Sequence, residues 1–214
     1  MIVQSVNTYR NDYLEQLLSG NRNECSRIAK QYISENPSIK DLYEDVFRGA
    51  LYQVGVLWET NKISVAKEHL ATAITEGILN ELYGNLEVLE KQNKKVILTC
   101  VENELHQVGI KMVADIFEIN GWDTYFLGTG IPVTELVKYI KEENPRVLAI
   151  SMSIFFNYQT LVRMIDVLKQ EFPDLSIILG GQAFLHKKEG DFKKIEDIKY
   201  VSDLYELDHY LKTI

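Results

Sequence analysis

The chain has 214 residues, 46% hydrophobic and 25% charged, which is the composition of an ordinary globular protein with one or two domains. No apolar run approaches the roughly 20 residues of a membrane span and the start lacks a signal-peptide pattern, so we expect a cytoplasmic protein with no membrane partner. The formal charge of −8 and the absence of a basic stripe argue against direct binding to nucleic acid.

The first ninety residues show helical periodicity and almost no strand signal. The pattern predicts four helices, at about 6–18, 23–35, 39–60 and 64–91, with breaks at "SGN", "ENPS" and "TNKIS". In the third helix an apolar stripe recurs at intervals of three or four residues, formed by Leu42, Val46, Ala50, Val54 and Leu57. We predict a four-helix bundle acting as a cap domain over residues 1–92.

After the charged run "LEKQNKK" the pattern changes to short apolar stretches that alternate with amphipathic ones. The predicted strands are 95–101, 124–128, 146–153, 176–181 and 199–203, and the predicted helices are 106–120, 133–142, 158–171 and 204–212. Such alternation is typical of a parallel sheet covered on both faces. The predicted fold class is α/β, with the bundle followed by a flavodoxin-like (Rossmann-type), five-stranded parallel-sheet domain over residues 93–214.

Polar residues and glycines follow three of the predicted strands. With a strand order of 2-1-3-4-5, Glu104 and His106 after the first strand would face Ser151 and Ser153 at the end of the third, beside Gly180–Gly181 after the fourth. Each feature alone is weak, because a lone histidine before a helix is more often structural and a Gly-Gly after a strand is usually a turn. Their convergence predicts a ligand crevice.

The spacing of these residues is the specific signal. Between Gly109 and Ser151 lie 41 residues, and between Ser153 and Gly180 lie 26. This closely resembles the cobalamin-binding signature of the methionine-synthase type, in which Asp-x-His-x-x-Gly, Ser-x-Leu and Gly-Gly occur at similar intervals. The chain departs from it at two positions, with Glu104 in place of Asp and Ser153 in place of Leu.

The resemblance implies a cobalamin whose lower nucleotide tail is drawn away from cobalt and threaded into the domain. His106 would replace the tail as lower axial ligand and hold the metal. An imidazole suits this role because one ring nitrogen binds the metal while the other donates to an acceptor, here Glu104. Ser151 would lie near the nucleotide or in the same relay, Gly109 would allow close approach, and Gly180–Gly181 would let the tail pass.

A second motif lies in the helical half, where nine residues separate Trp58 from Glu68–His69. Taken alone, it is a tryptophan that ends one helix beside the first turn of the next, which Ser64 caps. It also resembles the Trp-x9-Glu-His motif of cobalamin-dependent photoreceptor regulators. That resemblance implies that Trp58 covers the upper face of the corrin and that Glu68 and His69 hold or sense an adenosyl group there.

The leading hypothesis is therefore a non-enzymatic, cobalamin-binding sensor or regulatory module, photoreceptor-like and linked to transcription regulation, that holds adenosylcobalamin. Whether light is its signal stays open, because Glu59 follows Trp58 where the light-sensing members have a further histidine. It would act through a separate regulatory or effector protein and could form a homo-oligomer. The photoreceptor family generally has a DNA-binding domain before the bundle, whereas this chain begins with the bundle. The alternative is a corrinoid methyl carrier that serves separate methyltransferases and holds methylcobalamin, and a third reading is a flavodoxin-like domain without a corrin.

The remaining cysteines and histidines have no convergent partners. Cys25 and Cys100 lack the spacing of a disulfide or metal pair, so we predict buried thiols in a reducing compartment. His186 and His209 are predicted to be surface or interface residues.

Overall fold

The computed structural model describes residues 5–185, 195 and 198–214. It divides into two compact units, Met1–Leu86 and Glu87–Ile214, each with its own buried core. No helix within the described ranges is both long enough and apolar enough to cross a membrane.

The first unit is a bundle of helices joined by short turns. Its segments are α1 (Val6–Ser19), α2 (Arg22–Glu35), α3 (Ile39–Asp41), a π-helical stretch (Leu42–Arg48), α4 (Gly49–Glu59) and α5 (Val65–Tyr83). Because α3, the π-helical stretch and α4 follow one another without a break, they form a single third helix. The predicted four-helix bundle is confirmed.

Short polar side chains start these helices, and the predicted cap Ser64 is one of them. Ser5, Asn21 and Ser64 each accept a hydrogen bond from the backbone N–H three residues later, which satisfies a donor that the first helical turn leaves without a partner. Gly20 ends α1 in the left-handed region at φ 74°, where glycine avoids the strain of a side chain.

Aromatic rings fill the core of the bundle. The rings of Tyr13 and Phe47 stack with their centroids 4.8 Å apart, and the Tyr13 hydroxyl donates to Thr75 Oγ1 at 3.2 Å. The predicted apolar stripe of the third helix is buried from Leu42 to Val54, and only Leu57, near the end of the helix, is half-buried. The period-of-four pattern in the sequence therefore marks the core-facing side correctly.

The fourth helix ends earlier than predicted, at Tyr83 rather than near residue 91. Gly84 follows it, and the chain then runs beside the corner between the next helix and strand. There Leu89 N donates to Ile119 O at 2.9 Å, and Gln92 N donates to Gly121 O at 2.8 Å. These non-local hydrogen bonds replace those that a longer helix would make, and helical periodicity alone does not reveal them.

The second unit is a five-stranded sheet with helices between the strands. Its elements are β1 (Lys95–Cys100), α6 (Val108–Ile119), β2 (Asp123–Gly128), α7 (Val133–Glu143), β3 (Val147–Ser151), α8 (Tyr158–Glu171), β4 (Ser176–Gly180), β5 (Lys199–Tyr200) and α9 (Leu204–Leu211). All pairings are parallel and the strand order is β2-β1-β3-β4-β5. The flavodoxin-like topology is confirmed.

The register of the sheet brings the ends of three strands to one level. Cys100 of β1 is paired with Ser151 of β3, which is paired in turn with Gly180 of β4. β3 is buried along its whole length and β1 along nearly all of it, so both faces of the sheet are covered. The loops that follow these strands therefore emerge side by side at the carboxyl edge.

Several boundaries in this unit differ from the predictions, and two of these differences have a local cause. α6 begins at Val108 rather than at residue 106, because residues 104–106 turn around the side chain of Glu104. β5 ends at Tyr200 rather than at residue 203, because Asp203 caps α9 by accepting from Glu206 N. In both places a local hydrogen bond to a carboxylate competes with the regular element.

Candidate functional site

The candidate site lies where β1 and β3 end. Val101 N donates to Ser151 O at 3.0 Å, and Met152 N donates to Gly180 O at 3.0 Å, so the parallel pairing continues just past the strand ends. The chain then opens into two loops, one from Glu102 to Gln107 and the other from Met152 to Asn157. As expected for an open parallel sheet, the polar residues of the site lie on these loops.

Glu104 joins the two loops. It is only 1% exposed, and its two carboxylate oxygens face different loops. Oε1 accepts from its own loop: from Leu105 N at 3.0 Å, from His106 N at 3.2 Å and from the His106 ring nitrogen Nδ1. Oε2 accepts from the other loop: from Ser153 N at 3.0 Å, from Ile154 N at 3.1 Å and from Asn157 Nδ2 at 3.2 Å.

This arrangement keeps the carboxyl group ionised. Burial alone would raise the pKa of Glu104, but the hydrogen bond from His106 and the backbone N–H groups of Ile154 and Ser153 lower it to about 2. An ionised carboxylate only accepts hydrogen bonds, so the Nδ1 that faces it carries the hydrogen. The lone pair of a neutral imidazole then lies on Nε2, which is the nitrogen suited to a metal.

His106 combines this fixed tautomer with access to solvent, because its side chain is 40% exposed while that of Glu104 is fully buried. Nδ1 of the ring thus faces the buried carboxylate, while part of the side chain is accessible to solvent. This is the arrangement expected of a histidine that ligates an exchangeable group rather than one that fills a core.

The two serines reach this cluster in different ways. Ser153 contributes its backbone N–H to Glu104. Ser151 is buried, and within the described residues Oε2 of Glu104 accepts from Ser153, Ile154 and Asn157 but not from the Ser151 hydroxyl. The predicted relay therefore has no hydrogen bond between Glu104 and the Ser151 hydroxyl in this structure, and a place for Ser151 near the nucleotide stays a prediction.

The three glycines predicted to belong to the site, Gly109, Gly180 and Gly181, differ in how much space surrounds them. A Cβ on Gly109, in the first turn of α6, would meet no atom within 4 Å and would enter open space. At Gly181, where φ is +113°, a Cβ would lie 2.3 Å from Met152 O, and at Gly180 one would lie 3.4 Å from Val201 O. Gly181 is thus needed for the protein's own backbone packing, whereas that packing does not require a glycine at Gly109.

The residue that the sequence did not reveal is Asn157. It directly precedes α8, where asparagine ordinarily caps a helix, but its side chain makes no capping hydrogen bond and donates to Glu104 instead. The sequence offers only the capping signal, since the partner lies 53 residues away.

Exposed apolar side chains surround the cluster. Leu105 is 79% exposed and Phe156 is 91% exposed, and Ile154 and Phe155 of the same loops are also exposed. A corrin is a broad, largely apolar ring that brings its own equatorial ligands, so it needs one axial nitrogen, apolar surface and close approach to the backbone. His106, these side chains and Gly109 meet those requirements.

The motif in the first unit has hydrogen bonds of its own. Glu68 lies in the first turn of α5, accepts from Thr72 Oγ1 at 3.0 Å, and its other oxygen is 2.5 Å from Nδ1 of His69. The His69 side chain is largely exposed, and Trp58 near the end of α4 is partly exposed. The Glu68–His69 pair thus repeats, with a more exposed histidine, the contact between a carboxylate and Nδ1 seen at Glu104 and His106.

The remaining predictions concern residues away from these clusters. Cys25 and Cys100 are buried free thiols, as predicted. His209 is exposed on α9, which agrees with a surface residue, and His186 lies outside the described residues.

Both units match families of known domains. Residues 94–197 match a family described as "B12 binding domain", and residues 9–83 match a second family with the same description. A curated relative, dimethylamine corrinoid protein 1 of Methanosarcina mazei, is 25% identical over 146 residues, which are 66% of this chain and 67% of the relative. Trimethylamine corrinoid protein 1 of the same organism is 21% identical over 149 residues, covering 68% of each chain.

A solved structure shares the fold. The monomethylamine corrinoid protein of Methanosarcina barkeri superposes with a TM-score of 0.82 at 16% identity, covering 98% of this chain and 100% of that one. The helical domain followed by an α/β domain is therefore an arrangement found in a corrinoid protein. The photoreceptor-like and transcription-regulating reading of the sequence is not supported by these relatives, which are named as methylamine corrinoid proteins.

Proposed function

We propose that this cobalamin-binding protein, built from two B12 binding domains, is a methyl carrier that serves separate methyltransferases. This was the alternative rather than the leading hypothesis from the sequence. The similarity to dimethylamine and trimethylamine corrinoid proteins over about two thirds of the chain carries the choice. We assign a non-enzymatic role as a carrier, because these relatives are named as corrinoid proteins and not as methyltransferases.

In this proposal His106 is the lower axial ligand and Glu104 fixes its tautomer. The support is the contact of the buried Glu104 carboxylate with Nδ1, which leaves Nε2 as the ring nitrogen for cobalt. Ser151, Ser153 and the turn at Gly180–Gly181 would line the space for the nucleotide tail. When bound, cobalamin supplies a cobalt centre that takes a methyl group from one molecule and passes it to another.

The residues of the helical domain would serve the upper side of the cofactor. By their resemblance to a cobalamin-contacting motif, we assign Trp58 to apolar contact with the corrin, and Glu68 and His69 to the region of the upper ligand. A methyl group is small, so a carrier needs no pocket for an adenosyl group. We therefore expect methylcobalamin to be the physiological form and methyltransferases to be the partners.

The first experiment tests the cofactor and its ligand. Purified protein is titrated with methylcobalamin and with adenosylcobalamin, and the absorption spectrum reports both affinity and axial coordination. We expect tighter binding of methylcobalamin, and we expect His106→Ala to lose the spectrum of imidazole-bound cobalt. His209→Ala, which alters an exposed histidine on α9, is the matched control and should behave as the wild type.

The second experiment tests the carrier role. The protein is loaded with cobalamin, reduced, and mixed with a purified methyltransferase and monomethylamine, dimethylamine or trimethylamine, and methylation is followed by absorption. Transfer of one methyl group per bound cobalamin supports the proposal. A strong preference for adenosylcobalamin, together with no transfer from any of the amines, would instead favour the sensor.

A further inference from the structure

The loop after β3 donates three hydrogen bonds to Glu104, and Asn157 is the residue of this loop that does so with its side chain. Of the donors to Oε2 of Glu104, those from Ser153 and Ile154 are backbone N–H groups, whereas Asn157 supplies a side-chain amide. Its amide is buried with the carboxylate, and a hydrogen bond between buried groups is costly to leave unmade. A mutation can therefore remove this contact without changing the backbone.

The position of Asn157 gives a second reason to assign it a role. The chain enters α8 through the tight turn Phe155–Asn157, so that Asn157 has φ −80° and ψ 0° and does not cap the helix. Asparagine immediately before a helix ordinarily contributes to stability by accepting an N–H of the first turn. Here the amide instead donates to a carboxylate 53 residues earlier in the chain.

The chemistry of the amide explains why an asparagine suits this contact with Glu104. Asn157 donates a hydrogen bond without carrying charge and without a titratable proton, so it holds Oε2 in place and leaves Glu104 an acceptor. With Oε2 anchored to one loop, the orientation of Oε1 towards Nδ1 of His106 is fixed. The ring is then positioned by a chain of contacts that runs from α8 through Asn157 and Glu104 to His106.

We propose that Asn157 is a positioning residue for the cobalt ligand: it anchors Glu104 so that His106 is held in the tautomer and orientation that bind the metal. This inference rests on the proposed lower-ligand role of His106. Residues that orient a metal ligand through another group typically change metal binding by about 10–100-fold when mutated. Because Asn157 acts through Glu104, we expect an effect of about tenfold, at the lower end of that range.

The test measures coordination rather than activity. The protein is produced with histidine labelled with the heavy nitrogen isotope, loaded with cobalamin and reduced to the paramagnetic cobalt(II) form. The nitrogen splitting in its electron paramagnetic resonance spectrum identifies the axial nitrogen, because the label changes the splitting only when that nitrogen belongs to the protein. The ratio of histidine-bound to unbound cobalt is then compared among variants.

Two variants and one control make the result specific. Asn157→Ala removes the amide, and Asn157→Asp keeps its shape but replaces the donor with a second carboxyl group facing Glu104. Asn144→Asp is the control, because it makes the same chemical change at a distant site. Asn144 follows α7 with a left-handed backbone conformation and lies near the opposite end of β3. Thermal unfolding of each apo variant and its total cobalamin bound are measured alongside.

We expect both Asn157 variants to bind cobalamin while the ratio of histidine-bound to unbound cobalt falls about tenfold, with Asn144→Asp unchanged. A wild-type ratio in both Asn157 variants, when His106→Ala abolishes the label-dependent splitting, would overturn the role of Asn157 alone. Absence of that splitting in the wild type would overturn the lower-ligand assignment and this inference together.

Discussion

Replacing Glu104 with glutamine tests whether the carboxylate holds the two loops together. The change keeps the size of the side chain and removes its charge. It also turns one acceptor oxygen into an NH2 group, which donates rather than accepts. Whichever way the amide is oriented, the NH2 group faces either the donors of its own loop or those of the loop after β3.

The structure gives the size of the effect. Each buried donor left without an acceptor costs about 1–3 kcal/mol, and donors at one oxygen share that loss because the side chain can shift. Glu104 is 1% exposed, so water offers little replacement. We therefore expect the free energy of unfolding of the second unit to fall by about 3 kcal/mol.

The effect should also depend on pH. The pKa of Glu104 is lowered to about 2 in the folded protein, because the donors around the carboxylate outweigh the effect of burial. A lowered pKa stabilises the fold fully above the unfolded-state pKa of about 4.3, and this contribution is lost as the pH falls towards about 2. The difference between wild type and Glu104→Gln should shrink over the same interval.

Urea unfolding of the apo protein measures this difference. The chain has two tryptophans, one in each unit, so in a Trp58→Phe background the fluorescence of Trp122 reports the second unit alone. Glu102→Gln, on the same loop, is the matched control and should change stability by less than about 0.5 kcal/mol. If Glu104→Gln at neutral pH loses no more than this control, the carboxylate does not join the loops and the reasoning fails.

Three further predictions follow from close contacts and burial. Gly181→Ala should destabilise the second unit by about 2 kcal/mol, because its Cβ would meet Met152 O at a positive φ; the same urea titration measures this, and an unchanged midpoint would contradict it. Gly109→Ala should leave the stability of the apo protein unchanged or raise it by up to ~1 kcal/mol, because the added Cβ meets no protein atom within 4 Å. The same variant should bind cobalamin more weakly in a spectral titration, and an unchanged affinity would show that no ligand approaches Gly109. Burial raises the pKa of both Cys25 and Cys100 to about 12, so a thiol reagent at mildly alkaline pH should modify them only after unfolding, and rapid reaction of the native protein would refute their burial.

Local sequence patterns predicted those parts of the fold that local physics decides. The apolar stripe of the third helix, the cap at Ser64 and the alternation of strands with helices all depend on a few neighbouring residues. The strand order followed because parallel strands with helical crossovers have few favourable arrangements. In the observed register Ser151 is paired with Gly180, so the ends of β3 and β4 lie side by side, as this strand order implies.

The misses occur where a distant partner decides the local structure. The fourth helix stops at Tyr83 because the chain beyond it makes hydrogen bonds at Ile119 and Gly121, and neither partner is visible in the helical pattern. Asn157 was missed for the same reason, since a side chain that reaches Glu104 looks in sequence like an ordinary helix cap. Periodicity reports which side of an element is buried, but it does not report which polar groups meet across loops.

Glu104 stands where the methionine-synthase-type signature has an aspartate, and the structure gives a physical reason for this difference. An aspartate, one methylene shorter, would bring its carboxylate nearer to its own backbone and away from one of the two loops. With the longer arm, one oxygen of Glu104 accepts from its own loop and from His106 while the other reaches Ser153, Ile154 and Asn157. Most of these donors are fixed protein groups, so the acceptor for His106 is organised before any cofactor arrives. In the proposed carrier, the orientation of His106 would therefore be set by Glu104 and the two loops, and not by the group that the cofactor carries.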